Sequence, residues 1–146
     1  MNRLAAALTV ALSSVCAMAQ MTPVGLWKTI DDDGKTEKSL VRITDSGGVL
    51  SGAIEKIFDV AKQDAKCDKC ADDRKDKPVL GLTIIRNVRQ DGDDKGLWDG
   101  GDILDPKEGK VYKTRLKPAD GGKKLEVRGY IGAPLFGRTQ VWQRVE

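Results

Sequence analysis

Residues 97–112 read LWDGGDILDPKEGKVY, and the reading of this stretch decides the fold. Asp105, Pro106, Lys107, Glu108 and Gly109 have the composition of a tight turn: Asp opens it, Pro sets φ and Gly takes the left-handed position. Trp98, Ile103 and Leu104 come before the turn and Val111 and Tyr112 after it, so two strands face each other here as a hairpin. Gly100 and Gly101 fall inside the first strand, where glycine weakens pairing. They predict a bulge, a bend or a close backbone contact at that point.

Outward from this hairpin the same pattern repeats. In 110–117, Tyr112, Thr114 and Leu116 share one face and Lys113, Arg115 and Lys117 the other. In 125–131, Leu125, Val127 and Ile131 oppose Glu126, Arg128 and Tyr130. Further strands are predicted over 24–30, 40–44, 49–58, 79–88 and 136–145, separated by turn-forming clusters such as Ser46-Gly47-Gly48 and Ala119-Asp120-Gly121-Gly122. Eight short strands joined largely by tight turns predict an all-β, up-and-down antiparallel barrel, because closure removes the edges that template aggregation. A β-sandwich with the same strand count is the other architecture the pattern allows.

Residues 1–19 carry a basic start at Arg3, an apolar run over 4–15 and a small-x-small site at Ala17-Met18-Ala19, which predicts a secretory signal peptide cleaved near Ala19. Ser13 and Val15 before Cys16 do not fit a lipoprotein signal. Residues 20–146 then form one domain, placed in the periplasm or secreted, with no later run long enough to span a membrane as a helix. Across the chain 25 Lys and Arg are interleaved with 22 Asp and Glu, for a net charge of +3. No basic stripe tracks a phosphate backbone, so nucleic acid is not an expected partner. The sequence contains no histidine, which excludes His-based triads, most catalytic zinc sites and the usual neutral-pH base.

Cys67 and Cys70 form the most compact chemical constellation. With Cys16 removed they are an even pair in an oxidising compartment, and a local disulfide is the expectation. The flanking KQDAK and ADDRKDK provide no strand leading into a helix that would activate a thiolate, and only Asp68, Asp72 and Asp73 stand near as additional metal donors. Residues 62–77 therefore read as a solvated loop pinned by a short ring. Asp31-Asp32-Asp33-Gly34 and the acidic run at 91–96 fail the register of a calcium loop and read as turns. Asp99, Asp102 and Asp105 could serve glycoside chemistry only if two of them faced one cavity. Alternation separates Asp102 from the other two unless a bulge at Gly100 and Gly101 shifts the phase.

Gly25-Leu26-Trp27 at the start of the first strand, with an arginine on the last, resembles the signature of lipocalin and calycin barrels, in which the Trp plugs the closed end and the Arg packs across it. The last strand offers Arg138 and Arg144; Arg138 is assigned, with Gly25, Trp27 and Trp142, to barrel closure, while ordinary burial of Trp27 and Trp142 in the core is the alternative. The order GLW, CxxC, PVLGL, LWDGGDILDPKEGKVY, LEVRGYIG and GRTQVW also resembles the bacterial domain-of-unknown-function family 2147, and matches it at Pro78, Gly81, Asp105, Gly109, Gly129 and Tyr130 among others. That resemblance implies a small secreted protein with a lipocalin-like barrel and brings no established reaction.

The functional expectation is reversible, non-enzymatic binding of a small, largely apolar molecule of lipid or fatty-acid type, with no cofactor and no metal. Ile54, Ile84, Trp98, Tyr112, Leu116 and Val127 are the expected cavity residues. The alternative is an envelope interaction module whose barrel is filled and whose loops bind a protein partner or a second copy.

Overall fold

The structure, a computed structural model, describes residues 21–146; the predicted signal peptide and its cleavage site lie outside the described residues. Eight strands follow one another: β1 Gly25–Ile30, β2 Glu37–Ser46, β3 Val49–Ile57, β4 Thr83–Gln90, β5 Trp98–Asp105, β6 Lys110–Ala119, β7 Lys124–Tyr130 and β8 Gly137–Arg144. Each pairs antiparallel with the next, and β8 returns to pair with β1, so the sheet is a closed up-and-down barrel. Closure rules out the sandwich, in which two sheets would each keep two edges.

The strands lie where the alternation put them, with shifted ends. β2 begins at Glu37, earlier than its apolar core, and β6 runs on through Pro118 to Ala119. β4 starts at Thr83 because Val79 bonds back to Ala65 and Lys66 bridges Pro78, which keeps the chain before it in the preceding connection. In β5 the pairing slips between Trp98 opposite Leu116 and Gly101 opposite Thr114, so the bulge predicted from the glycine pair is present. Gly100 has φ of 80°, and a Cβ on Gly101 would lie 2.1 Å from the Arg86 carbonyl oxygen on β4.

The barrel has a closed and an open end. The hairpins β2–β3, β4–β5 and β6–β7 meet at the closed end, and the interior there is filled by Trp27, Ile43, Leu50, Val88, Trp98, Leu116 and Leu125, all buried. Trp27 is fully buried, and its Nε1 donates to the Pro23 carbonyl at 2.7 Å. Directly opposite it on β8, Arg144 lays its guanidinium 4.2 Å from the ring centroid. Arg144 also donates to the carbonyls of Gly122 (2.6 Å), Val24 (2.8 Å) and Thr22 (2.6 Å), tying the entry to β1 and the β6–β7 connection across the barrel floor. Gly25 leaves room for this: a Cβ there would stand 2.4 Å from Arg144 Nη1. Arg144, and not Arg138, is thus the arginine that packs on Trp27.

The long connection from β3 to β4 is the main departure from a bare barrel. The Cys67–Cys70 disulfide is present, and 62–77 is largely exposed, as expected of a solvated loop pinned by a short ring. What the sequence did not show is that Cys67, Cys70 and Arg74 are buried and anchor this segment to the barrel. It packs on the β5–β6 turn, where Gly109 takes φ of 69° and any Cβ would strike the Lys69 carbonyl. Arg74, 3% exposed, holds the segment to β4: its Nη1 donates to the Thr83 carbonyl at 2.9 Å, and Nε and Nη2 donate to the Asp72 carboxylate at 3.1 and 2.6 Å. Those guanidinium bonds, and next the Arg74 backbone N–H, hold the Asp72 carboxyl down at about 2 from its ordinary 3.8. A carboxyl with a depressed folded-state value stabilises the fold above its unfolded value and loses that contribution as protons return. The Asp72 contribution is therefore complete above about pH 4 and is lost as the pH falls towards 2. Asp72→Asn is expected to flatten the pH dependence of the urea midpoint within that window; an unchanged slope would show that Asp72 is not part of the acid response.

Candidate ligand-binding cavity

Above the filled half, the barrel interior opens into a cavity of about 1150 Å³. Its mouth is ringed by the β1–β2 loop, the β3–β4 connection, the β5–β6 turn and the β7–β8 loop. Gly129 on β7 lines the cavity, with Tyr112 3.5 Å from where a Cβ would stand, whereas Gly52 on β3 is closely packed, a Cβ there standing 3.1 Å from Ile85 and 3.3 Å from Val41.

Four of the six expected cavity residues, Ile54, Ile84, Tyr112 and Val127, line this space. Ile84 does so because β4 is irregular opposite β3, with Ile85 facing Gly52 and Thr83 facing Ala53. Trp98 and Leu116 do not line it. They pair across β5 and β6 near the closed end, and their side chains belong to the packing beneath the cavity. Ile57, Ile103 and Leu104 line the wall without having been predicted. For Ile103, the phase shift at the β5 bulge is the signal that would have found it.

On β8 the alternation that buries Trp142 also turns Arg138 and Gln140 inward, opposite Gly129 and Val127. Trp142, opposite Leu125 and buried in the core cluster, borders the cavity from the packed half, its Nε1 donating to Gln140 Oε1 at 3.0 Å. Arg138, assigned from the sequence to barrel closure, stands at the opposite end. Its guanidinium lies 6.0 Å from the Tyr112 ring centroid, 3.1 Å from an Asp32 oxygen and 3.9 Å from one of Asp105. Gly25 and Trp27 close the barrel with Arg144, so of the two arginines the resemblance offered on the last strand, Arg144 and not the assigned Arg138 makes the contact.

The carboxylates of β5 do not converge. Asp105 reaches the mouth, whereas Asp102 pairs opposite Arg86 and Lys113, and Asp99 lies 4.0 Å from Arg115 on the outer face. Among the described residues no cluster of three or more Cys, Asp or Glu could hold a metal ion. No described helix is long and apolar enough to cross a membrane.

A family model described as an uncharacterized protein conserved in bacteria, DUF2147, matches residues 25–144, which is the barrel from the first residue of β1 to the last of β8. The chain belongs to the DUF2147 family. Among solved structures it is similar to protein HP1028 from Helicobacter pylori, described as belonging to the lipocalin family, with a TM-score of 0.72, 19% identity, and coverage of 84% of this chain and 82% of that one. At that identity the likeness is one of fold, and it gives this DUF2147 member a lipocalin-like barrel. No curated protein matches its sequence.

Proposed function

We propose that this DUF2147 protein is a non-enzymatic binding protein of the bacterial envelope that takes up one small, largely apolar, lipid-type ligand in the open half of its barrel. One observation carries the proposal: the closed half is packed solid, while the open half is a cup walled on one side by Ile54, Ile57, Ile84, Ile103, Tyr112 and Val127. Covering such a wall with an apolar ligand is worth about 25 cal/mol per Å² removed from water. A barrel filled throughout would have favoured a role confined to its loops; here the apolar loop residues Ile131, Leu135 and Phe136 themselves border the cavity mouth.

The envelope location draws on the signal-like residues 1–19 and is compatible with the Cys67–Cys70 disulfide, a bond that persists in oxidising compartments. The non-enzymatic reading draws on the lack of histidine and on carboxylates that point to different faces.

Native mass spectrometry of protein purified from a periplasm without detergent tests the proposal. A stoichiometric, lipid-sized adduct released on denaturation is expected. Val127→Trp, which fills the cup from β7, is expected to keep the far-ultraviolet spectrum and to lose the adduct along with roughly tenfold or more of probe affinity. Wild-type protein that carries no adduct and ignores apolar probes would overturn the reading.

A further inference from the structure

The cavity has two unlike walls. Opposite the apolar one, β1, β2 and β8 turn Thr29, Ser39 and Gln140 inward. Thr29 and Ser39 hydroxyls are 2.8 Å apart, and Gln140 Nε2 donates to Asp32 Oδ1 at 2.9 Å. This hydrogen-bonding seam leads up to Arg138 at the mouth. Asp32 from the β1–β2 loop and Asp105 from the β5–β6 turn reach that guanidinium from two sides. Two further pairs stand on the rim, with Lys38 3.5 Å from Asp31 and Lys62 4.0 Å from Asp59. In all, five cationic and five carboxylate side chains line the cavity and its rim.

We infer that the ligand is a neutral amphiphile: an apolar body lies against the β3–β7 wall, and an uncharged, hydroxylated head group is held at the mouth by the Gln140–Asp32–Arg138 seam. This deepens the binding proposal above and rests on it. An anionic head would have to sit beside Asp32 and Asp105 or displace them from Arg138, and a cationic head would face the guanidinium itself. A hydroxyl both donates and accepts, so it joins the seam through carboxylate oxygens and guanidinium N–H groups without breaking an ion pair.

Three probes with the same twelve-carbon chain separate the cases: the monoglyceride of dodecanoic acid, dodecanoate, and dodecyltrimethylammonium. Their affinities would be measured by calorimetry below the concentrations at which each self-associates. The monoglyceride is expected to bind at least about fivefold more tightly than either ion. In the double variant Asp32→Asn, Asp105→Asn, Arg138 loses both carboxylates, and dodecanoate affinity is expected to rise by about tenfold while that of the monoglyceride moves by no more than about twofold. Asparagine at 105 can still accept from the Lys107 N–H, as Asp105 does at 3.0 Å, so the turn is kept; an unchanged melting temperature would verify it. Dodecanoate binding the wild type as tightly as the monoglyceride, or gaining nothing in the double variant, would overturn this inference and leave the binding cup in place. Failure of all three probes to bind would overturn both.

Discussion

Arg144→Ala is expected to destabilise the protein by about 3 to 5 kcal/mol, among the largest effects of any single polar substitution in the barrel, and Arg138→Ala by less than about 1 kcal/mol. Both arginines sit on β8 and both face inward, but their surroundings differ. Arg144 donates to three main-chain carbonyls and covers the Trp27 ring, and burial pushes its pKa down from the ordinary value. Truncation strands those carbonyls at the barrel floor, each costing about 1 to 3 kcal/mol where water cannot replace the donor, and removes a cation–π contact worth roughly 1 kcal/mol. The sum exceeds the net loss because the floor can relax and admit water. Arg138 has a side chain 59% exposed, and its ion pairs are those of a solvated rim. Chemical denaturation of the two variants would measure the contrast, and equal losses would mean that the Trp27–Arg144 contact does not close the barrel. A double-mutant cycle with Trp27→Phe should show coupling with Arg144 and none with Arg138.

Gly101→Ala is expected to cost about 3 kcal/mol, at the upper end of overpacking, although it adds a single methyl group. The new Cβ would stand 2.1 Å from the Arg86 carbonyl oxygen and 2.6 Å from the Asn87 carbonyl carbon. Both are main-chain atoms of the neighbouring strand, so no rotamer change relieves the clash and β4 and β5 have to part. Gly100→Ala is the control: nothing lies within 4 Å of its Cβ, and the substitution carries only the left-handed φ of 80°, a penalty of about 1 to 2 kcal/mol. Thermal unfolding of the pair distinguishes the causes. If Gly101→Ala were the milder of the two, the close approach of β4 to β5 would not be what demands glycine.

These substitutions mark where the sequence was legible. Strand order, the turn at Asp105 to Gly109 and the bulge in β5 are local matters: alternation, proline, and glycine where a side chain has no room each act within a few residues, and each is written in 97–112. The plug role of Trp27 came from the resemblance of Gly25-Leu26-Trp27 to the lipocalin signature, with ordinary core burial as the alternative; the stacking of Arg144 on its ring separates the two. The buried status of Cys67 and Cys70 was not legible, since their immediate neighbours are charged and what buries them, the β5–β6 turn, is remote in sequence.

By itself, then, the sequence determined that the chain is all-β with eight antiparallel strands, which side chains of the best-patterned strands face inward, and that histidine chemistry plays no part. The pairing of β8 with β1 decided barrel over sandwich. Tertiary structure alone decided depth. Alternation with a period of two tells an inward residue from an outward one but says nothing of its height along the barrel axis. Trp98 and Leu116 share the inward face with Tyr112 and Val127, yet the first two fill the closed half and the last two line the cavity. Arg138 and Arg144 likewise share one face of β8, about 20 Å apart along an extended strand, and only the register that sets Trp27 opposite Arg144 makes one of them the floor and the other the mouth.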